Sequence, residues 1–246
     1  MKVTNLIAKL LKQNKIDHAF GLQGGAVVHI FDSLIKNKIN ITFTHHEESA
    51  ALAAVSNAKA RQEIGCAVVT TGPGTTNAIT GLLSSWQDSV PVIFISGQAR
   101  SNHTSYNKKV RQVGTQEVNI CDIVRPITKY TKFIKDKETV IDEFNKAITI
   151  AKSGRPGPVW LDLALEVQWQ DVKINKNKIK FIKQPKLKFP SNNFQQSIKA
   201  LNSSVRPIFI LGAGIKSSGI NINELKKFFS KNKIPFVLTW NTIDLF

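Results

Sequence analysis

The chain has 246 residues, 42% of them hydrophobic, which is enough for one large domain or for one domain and part of another. Its net charge of +17 raises nucleic acid as a partner, yet only six of the 34 basic residues are Arg and the lysines are spread over helix surfaces or gathered after residue 172. With no zinc-finger spacing, aromatic RNA-binding box or recognition-helix pattern, no specific nucleic-acid partner is expected. No apolar run reaches the roughly 18 residues of a membrane span, so no membrane association is expected. The Lys-bearing start MKVTNLIAKLLKQNKID lacks the apolar core of a secretory signal. Two distant cysteines, Cys66 and Cys121, give no disulfide framework, and a reducing, cytoplasmic setting is expected.

In chain order, Thr4 is placed to cap a first helix carrying Leu6, Ile7, Leu10 and Leu11 on one face. Residues 18–21 read as a short strand entering the turn Leu22-Gln23-Gly24-Gly25-Ala26. A second helix follows, with Val27, Ile30, Phe31, Leu34 and Ile35 inward. A strand over 39–44 then delivers the chain to Glu47. Helix 47–62, strand 66–71, helix 75–88 and strand 91–96 continue the alternation. Such a rhythm predicts an α/β fold, a doubly wound parallel sheet with helices on both faces. Right-handed crossovers place the strand-to-helix turns on one rim, where ligands bind in open α/β sheets. That rim would collect the Gly24-Gly25 turn, Glu47 and Gly72-Pro73-Gly74.

After Gln98 the stretch 99–117 is polar and without period, and at that length it reads as a functional loop; it carries Gln112, Gly114, Gln116 and Glu117. Strand-like residues 130–134 precede a helix over 138–152, the stop Gly154-Arg155-Pro156-Gly157-Pro158 and a final buried strand over 159–163. The first domain is expected over 1–170 and a Lys- and Asn-rich linker over 171–190. An incomplete central α/β domain is expected over 191–246, because strands at 207–211 and 235–238 cannot bury a sheet alone.

Taken singly, the chemical candidates have bland readings. Glu47 opens a helix rich in Ala50, Ala51, Ala53 and Ala54, whose small side chains allow close approach to neighbours. A carboxylate there is favoured by the helix dipole by about 0.3–1 kcal/mol, a role that Glu48 would fill as well. Gly72-Pro73-Gly74 reads as a tight turn and lacks the Lys of a phosphate-binding P-loop. Gly212-Ala213-Gly214 lacks the third glycine of a dinucleotide fingerprint. His29, His45, His46 and His103 have no zinc-ligand spacing, and no G-x-S-x-G elbow occurs.

Taken together they form an ordered set: Gly24-Gly25-Ala26, His46-Glu47, Thr71-Gly72-Pro73-Gly74-Thr75-Thr76-Asn77, Asp88-Ser89-Val90-Pro91, Gly97-Gln98 and Gly154-Arg155-Pro156-Gly157-Pro158-Val159. This order resembles the pyrimidine-binding domain of thiamine diphosphate-dependent enzymes, in the acetolactate synthase-like branch. The likeness covers residues 1–170, and residues 205–240 are similar to the start of the family's central domain. The resemblance implies a 2-keto acid decarboxylase or carboligase in which Glu47 is catalytic, activating the cofactor's aminopyrimidine for deprotonation at thiazolium C2. It implies that Gln23, Gly24, Pro73 and Asn77 line the pyrimidine with Glu47, and that Gly25, Ala26 and Gln116 face a small 2-keto acid. Glu48 points about 100° away around the helix and is less suited to that pocket.

In the family, Mg²⁺ and the diphosphate are held through a Gly-Asp-Gly motif in a C-terminal domain. This sequence contains no such motif, so no metal ligand is expected in it and the isolated chain is expected to be inactive. Some relatives bind FAD, which nothing in this sequence indicates. A homodimer or homotetramer, or a complementing chain that carries the diphosphate-binding domain, is implied. Two positions depart from the branch: Gln23 stands where Pro is usual, and Val113-Gly114-Thr115 stands where Asp-Ala-Phe is usual. The second departure points to another keto acid or acceptor than pyruvate. Competing readings are a non-catalytic binding or scaffold protein on the same fold, or one subunit of a split thiamine diphosphate-dependent decarboxylase.

Overall fold

The expected alternation of strand and helix is present in the computed structural model, which describes residues 1–106, 108–173 and 191–246. The chain divides into two compact units, Met1–Pro185 and Lys186–Phe246. The linker expected over 171–190 lies, from residue 174 onward, outside the described residues.

The first unit runs α1 (Val3–Gln13), β1 (His18–Gly21), α2 (Val28–Lys36), β2 (Asn40–Phe43), α3 (Glu47–Arg61), β3 (Gly65–Val69), α4 (Pro73–Asn77), α5 (Ile79–Gln87) and β4 (Val92–Gln98). It continues with α6 (Ile120–Val124), β5 (Tyr130–Ile134), α7 (Val140–Lys152), β6 (Val159–Ala164) and α8 (Leu165–Trp169). The six strands form one sheet in the order β2-β1-β3-β4-β6-β5. All neighbours are parallel. The order reverses between β1 and β3, which makes the carboxyl ends of those two strands the topological switch point.

Strands buried on both faces explain the nearly continuous apolar runs in β3, β4 and β6. Cys66, Val68, Ile93, Ile95, Leu161 and Leu163 face a core shared with α1, α2 and α7. Ala67, Val69, Val92, Phe94 and Trp160 face the other side, against α3 and α5. Phe94 and Trp160 stack there, with ring centroids 5.0 Å apart. The two cysteines are buried and free. Burial pushes the Cys66 thiol up to about 12, as for a small apolar core residue.

α3 packs closely because its inner face is nearly all alanine: Ala50, Ala51, Ala54 and Ala58 are buried. A Cβ added at Gly81 of α5 would lie 2.4 Å from the Ala51 Cβ, and one at Gly65 would lie 2.3 Å from the Ala54 carbonyl oxygen. Helix and strand backbones therefore touch with no long side chain between them.

Three local expectations are corrected. Thr4 does not cap α1, which starts at Val3 with no side-chain cap. Thr4 is instead buried and accepts a 2.7 Å hydrogen bond from the Ser33 hydroxyl, joining α1 to α2. Ile35 is 57% exposed, because the stripe of Val27, Ile30, Phe31 and Leu34 already fills the inner face and the next residue turns outward. The helix expected over 75–88 is broken at Ala78 into α4 and α5. There the N–H groups of Thr75 and Ala78 bond three residues back, and the Thr75 and Thr76 hydroxyls take the Gly72 and Pro73 carbonyls.

The second unit contains α9 (Ser191–Ser203), β7 (Phe209–Leu211), α10 (Gly214–Ser217), α11 (Ile222–Asn232) and β8 (Phe236–Leu238). Its two strands are parallel. Phe229 is buried in a cluster with Phe209, Phe228, Phe236 and Phe246. No helix among the described residues is long and apolar enough to cross a membrane.

Candidate active site

The turns after β1, β2 and β3 converge at the switch point. β2 hands the chain through Thr44 and His46 to α3, where the His46 ring nitrogen Nδ1 accepts from the Glu48 N–H at 3.3 Å and caps the helix. The Thr44 hydroxyl donates to the His46 carbonyl at 2.8 Å and fixes the approach. Glu47, the first residue of α3, is only 6% exposed, whereas Glu48 is half-buried. The helix dipole favours a carboxylate at this end. The Asn77 side-chain amide donates to Glu47 Oε2 at 3.0 Å and sets the plane of the carboxylate. The other oxygen, Oε1, lies over Gly74, where an added Cβ would come within 3.2 Å of it.

Glycine is required in the turn after β3. Gly72 has φ +62°, and a Cβ there would stand 2.1 Å from the Gln116 carbonyl oxygen. Gln116 itself is in the left-handed region, φ +57°, with its side chain exposed at the rim. The turn after β1 meets Thr70: a Cβ on Gly24 would lie 2.5 Å from Thr70 Cβ, and the Ala26 N–H donates to Thr70 Oγ1 at 3.4 Å. Pro73 is exposed at the start of α4, and Gln23 and Gly25 are exposed on the turn after β1.

Glu47, Asn77 and Gly74 thus touch directly, Gln116 packs on Gly72, and Gly24 and Ala26 reach the same strand end through Thr70. Thr70 sits at the centre of these contacts. Sequence reasoning passed over it, although a threonine closing an apolar strand just before a Gly-Pro-Gly turn was the available signal.

A second group of polar residues lies beside this one, at the ends of β4 and β6. The strand register pairs Ser96 with Asp162. Asp162 is fully buried; its Oδ1 accepts from the Ser96 hydroxyl at 2.6 Å, and its Oδ2 accepts from the Gln98 amide at 2.9 Å and the Tyr106 hydroxyl at 3.2 Å. Burial pushes the Asp162 carboxyl up to about 6 against the lowering influence of these bonds. Burial and the Asp162 charge likewise raise the Tyr106 phenol, and burial takes the Cys121 thiol up to about 12.

The loop between β4 and α6 is held by two carboxylates. Glu166 accepts from the Ser101 N–H and hydroxyl. Glu117, 7% exposed, accepts from the Ser105 N–H and hydroxyl at 3.1 Å each and from the Val113 N–H at 3.0 Å. Glu117 adjoins Gln116, so the loop is gathered where Gln116 meets Gly72.

The family of thiamine pyrophosphate enzymes, described as the N-terminal TPP binding domain, matches residues 1–123. The chain belongs to the thiamine pyrophosphate enzymes. It is 34% identical over 244 residues to the probable acetolactate synthase large subunit of Methanocaldococcus jannaschii, covering 97% of this chain and 40% of that protein. It is 34% identical over 240 residues to the acetolactate synthase large subunit of Buchnera aphidicola subsp. Schizaphis graminum, covering 94% and 40%. It is 29% identical over 242 residues to the acetolactate synthase isozyme 3 large subunit of Escherichia coli, again covering 94% and 40%. The chain thus spans about 40% of the length of these relatives. The matched part of the thiamine pyrophosphate enzyme domain includes Gln23, Gly24, Gly25, Ala26, Glu47, Pro73, Asn77 and Gln116, whereas Asp162 lies beyond it.

Proposed function

We propose that this chain supplies the aminopyrimidine half of a thiamine diphosphate site in an acetolactate synthase-like enzyme. The observation that carries the reading is the Glu47 carboxylate, shielded from water, with Oε2 held by Asn77 and Oε1 lying against Gly74. The donor set suits a flat, nitrogen-bearing ring: one oriented carboxylate, carried beside turns in which Gly24 and Gly74 let the backbone pack closely on Thr70. When bound, thiamine diphosphate supplies a thiazolium carbon whose deprotonation lets it act as an electron sink for a 2-keto acid.

Glu47 holds or releases a proton at Oε1 towards the ring nitrogen, and Asn77 keeps that oxygen aimed by occupying the other. Gln23 and Gly24 border one side of the pyrimidine, and Pro73 and Asn77 border the other. Gly25, Ala26 and Gln116 face the keto acid. The departure at Val113-Gly114-Thr115 supports a keto acid or acceptor other than the pyruvate pair. Mg²⁺ and the diphosphate are held by residues outside this chain. These belong to a longer form of the protein, active as a homodimer or homotetramer, or to a complementing chain. Two buried, free cysteines support a cytoplasmic setting.

The experiment is E47Q in the assembly that contains the diphosphate-binding part. The variant is expected to keep its circular dichroism spectrum and lose hydrogen–deuterium exchange at C2 of the bound cofactor. Unchanged exchange in E47Q would overturn the assignment.

A further inference from the structure

The residues placed at the pocket hang from a buried hydrogen-bonded hub that the reading above leaves without a role. Gln98 ends β4 and is fully buried. Its Oε1 accepts from the Thr71 hydroxyl at 2.7 Å and from the Ala99 N–H at 2.9 Å. Its Nε2 donates to the Val118 carbonyl at 2.8 Å and to Asp162 Oδ2 at 2.9 Å. These bonds use both donors and both acceptor sites of one amide. Thr71 immediately precedes Gly72, and its hydroxyl also lies 3.3 Å from the Gln116 carbonyl. Val118 is two residues past Gln116. One side chain therefore fastens the turn after β3 and the loop segment that packs on it.

The clearance between those two segments is small, because a single Cβ at Gly72 would come 2.1 Å from the Gln116 carbonyl. Asp162 settles which way the Gln98 amide points. A carboxylate already accepting from Ser96 and Tyr106 draws the NH₂ end and turns the oxygen towards Thr71.

We propose that Gln98 is a positioning residue for the pocket. Its amide sets the register of the Gly72 turn against Gln116, through Thr71 on one side and Val118 on the other. The proposal rests on the reading of this rim as half of a thiamine diphosphate site. Gln98 itself touches neither cofactor nor substrate. A residue that only supports the sheet loosens the whole unit when removed, whereas a positioning residue loosens these two segments together.

The test is hydrogen exchange followed by mass spectrometry on the full 246-residue chain. Q98M keeps the side-chain volume and removes all four polar bonds. Amides in 71–77 and 113–119 should exchange about tenfold faster, the equivalent of roughly one lost hydrogen bond, while those of α1 and α7 keep their rates. T71V, a milder change, should release 71–77 more than 113–119 because the Val118 bond remains. I95V, a methyl deletion in the same strand, serves as the control for general loosening. The proposal is overturned if Q98M and T71V leave both segments protected, or if protection falls by one factor throughout the unit as in I95V.

A calorimetric arm uses 4-amino-5-hydroxymethyl-2-methylpyrimidine as the probe, and Q98M should bind it about tenfold more weakly than the parent. Failure of the parent to bind this probe would count against the pocket reading alone, since the exchange pattern decides the role of Gln98 independently.

Discussion

At the ends of β1 and β3 the rim is made by leaving side chains out, whereas at the ends of β4 and β6 it is made by packing polar side chains in. In the first region Gly24, Gly72 and Gly74 bring backbone against Thr70, Gln116 and Glu47. In the second, Ser96, Gln98, Tyr106 and Asp162 fill the space with hydrogen bonds. The first arrangement draws backbones into close contact around Glu47, and the second ties the neighbouring strand ends together. Their failure modes differ as well: the first breaks when an atom is added, the second when a partner is removed.

The largest expected effect is on the glycine side. G72A meets both a left-handed φ and a backbone oxygen at 2.1 Å that cannot swing aside as a side chain could. It should cost about 3–5 kcal/mol in urea unfolding. A loss below about 1 kcal/mol would show that the Gln116 segment yields freely and would erase the contrast.

The polar side is probed through pH. Burial disfavours the charge of Asp162 and pushes its carboxyl up to about 6 in the folded chain, from the ordinary 3.8. Between those values the folded chain holds more protons than the unfolded chain, so this group makes stability fall as pH rises from about 4 to about 6. D162N removes the group. The variant should therefore gain about 3 kcal/mol relative to the parent between pH 4 and pH 7, read from urea unfolding across that range. A constant difference between the two proteins would mean that Asp162 does not titrate there.

The smallest effect sharpens the boundary between the regions. N77A removes the side-chain bond that Asn77 makes to Glu47 Oε2 and should cost about 1–2 kcal/mol. The loss should appear in pyrimidine affinity as well as in unfolding, since a carboxylate free to rotate no longer presents Oε1.

The glycine side was legible in the sequence and the polar side was not, for a physical reason. A glycine is conspicuous because its absence of a side chain is its message, and Gly72-Pro73-Gly74 fixes a turn wherever it occurs. The alternation of strand and helix was legible for a similar reason, since burial on both faces leaves few polar residues in β3 and β4. Asp162 inside Val-Trp-Leu-Asp-Leu-Ala was a visible anomaly, a charged residue in an apolar run, but its partners Gln98 and Tyr106 lie far away in sequence and only the register of β4 on β6 brings them together. Local competition also escaped notice: the threonine hydroxyls that take the Gly72 and Pro73 carbonyls end α4 after five residues, where periodicity alone continued the helix.

The alanine face of α3 has a mechanical consequence. Long side chains in a contact act as springs, because they change rotamer and absorb strain between the elements they join. Between α3 and its neighbours at Gly65 and Gly81 there are none, so the fifteen-residue helix is seated almost backbone to backbone. Glu47 is carried on the end of that strut. Its backbone does not move alone: bulk added at Ala51 or Ala54 has no side chain to absorb it and is expected to push the whole helix, and Glu47 with it.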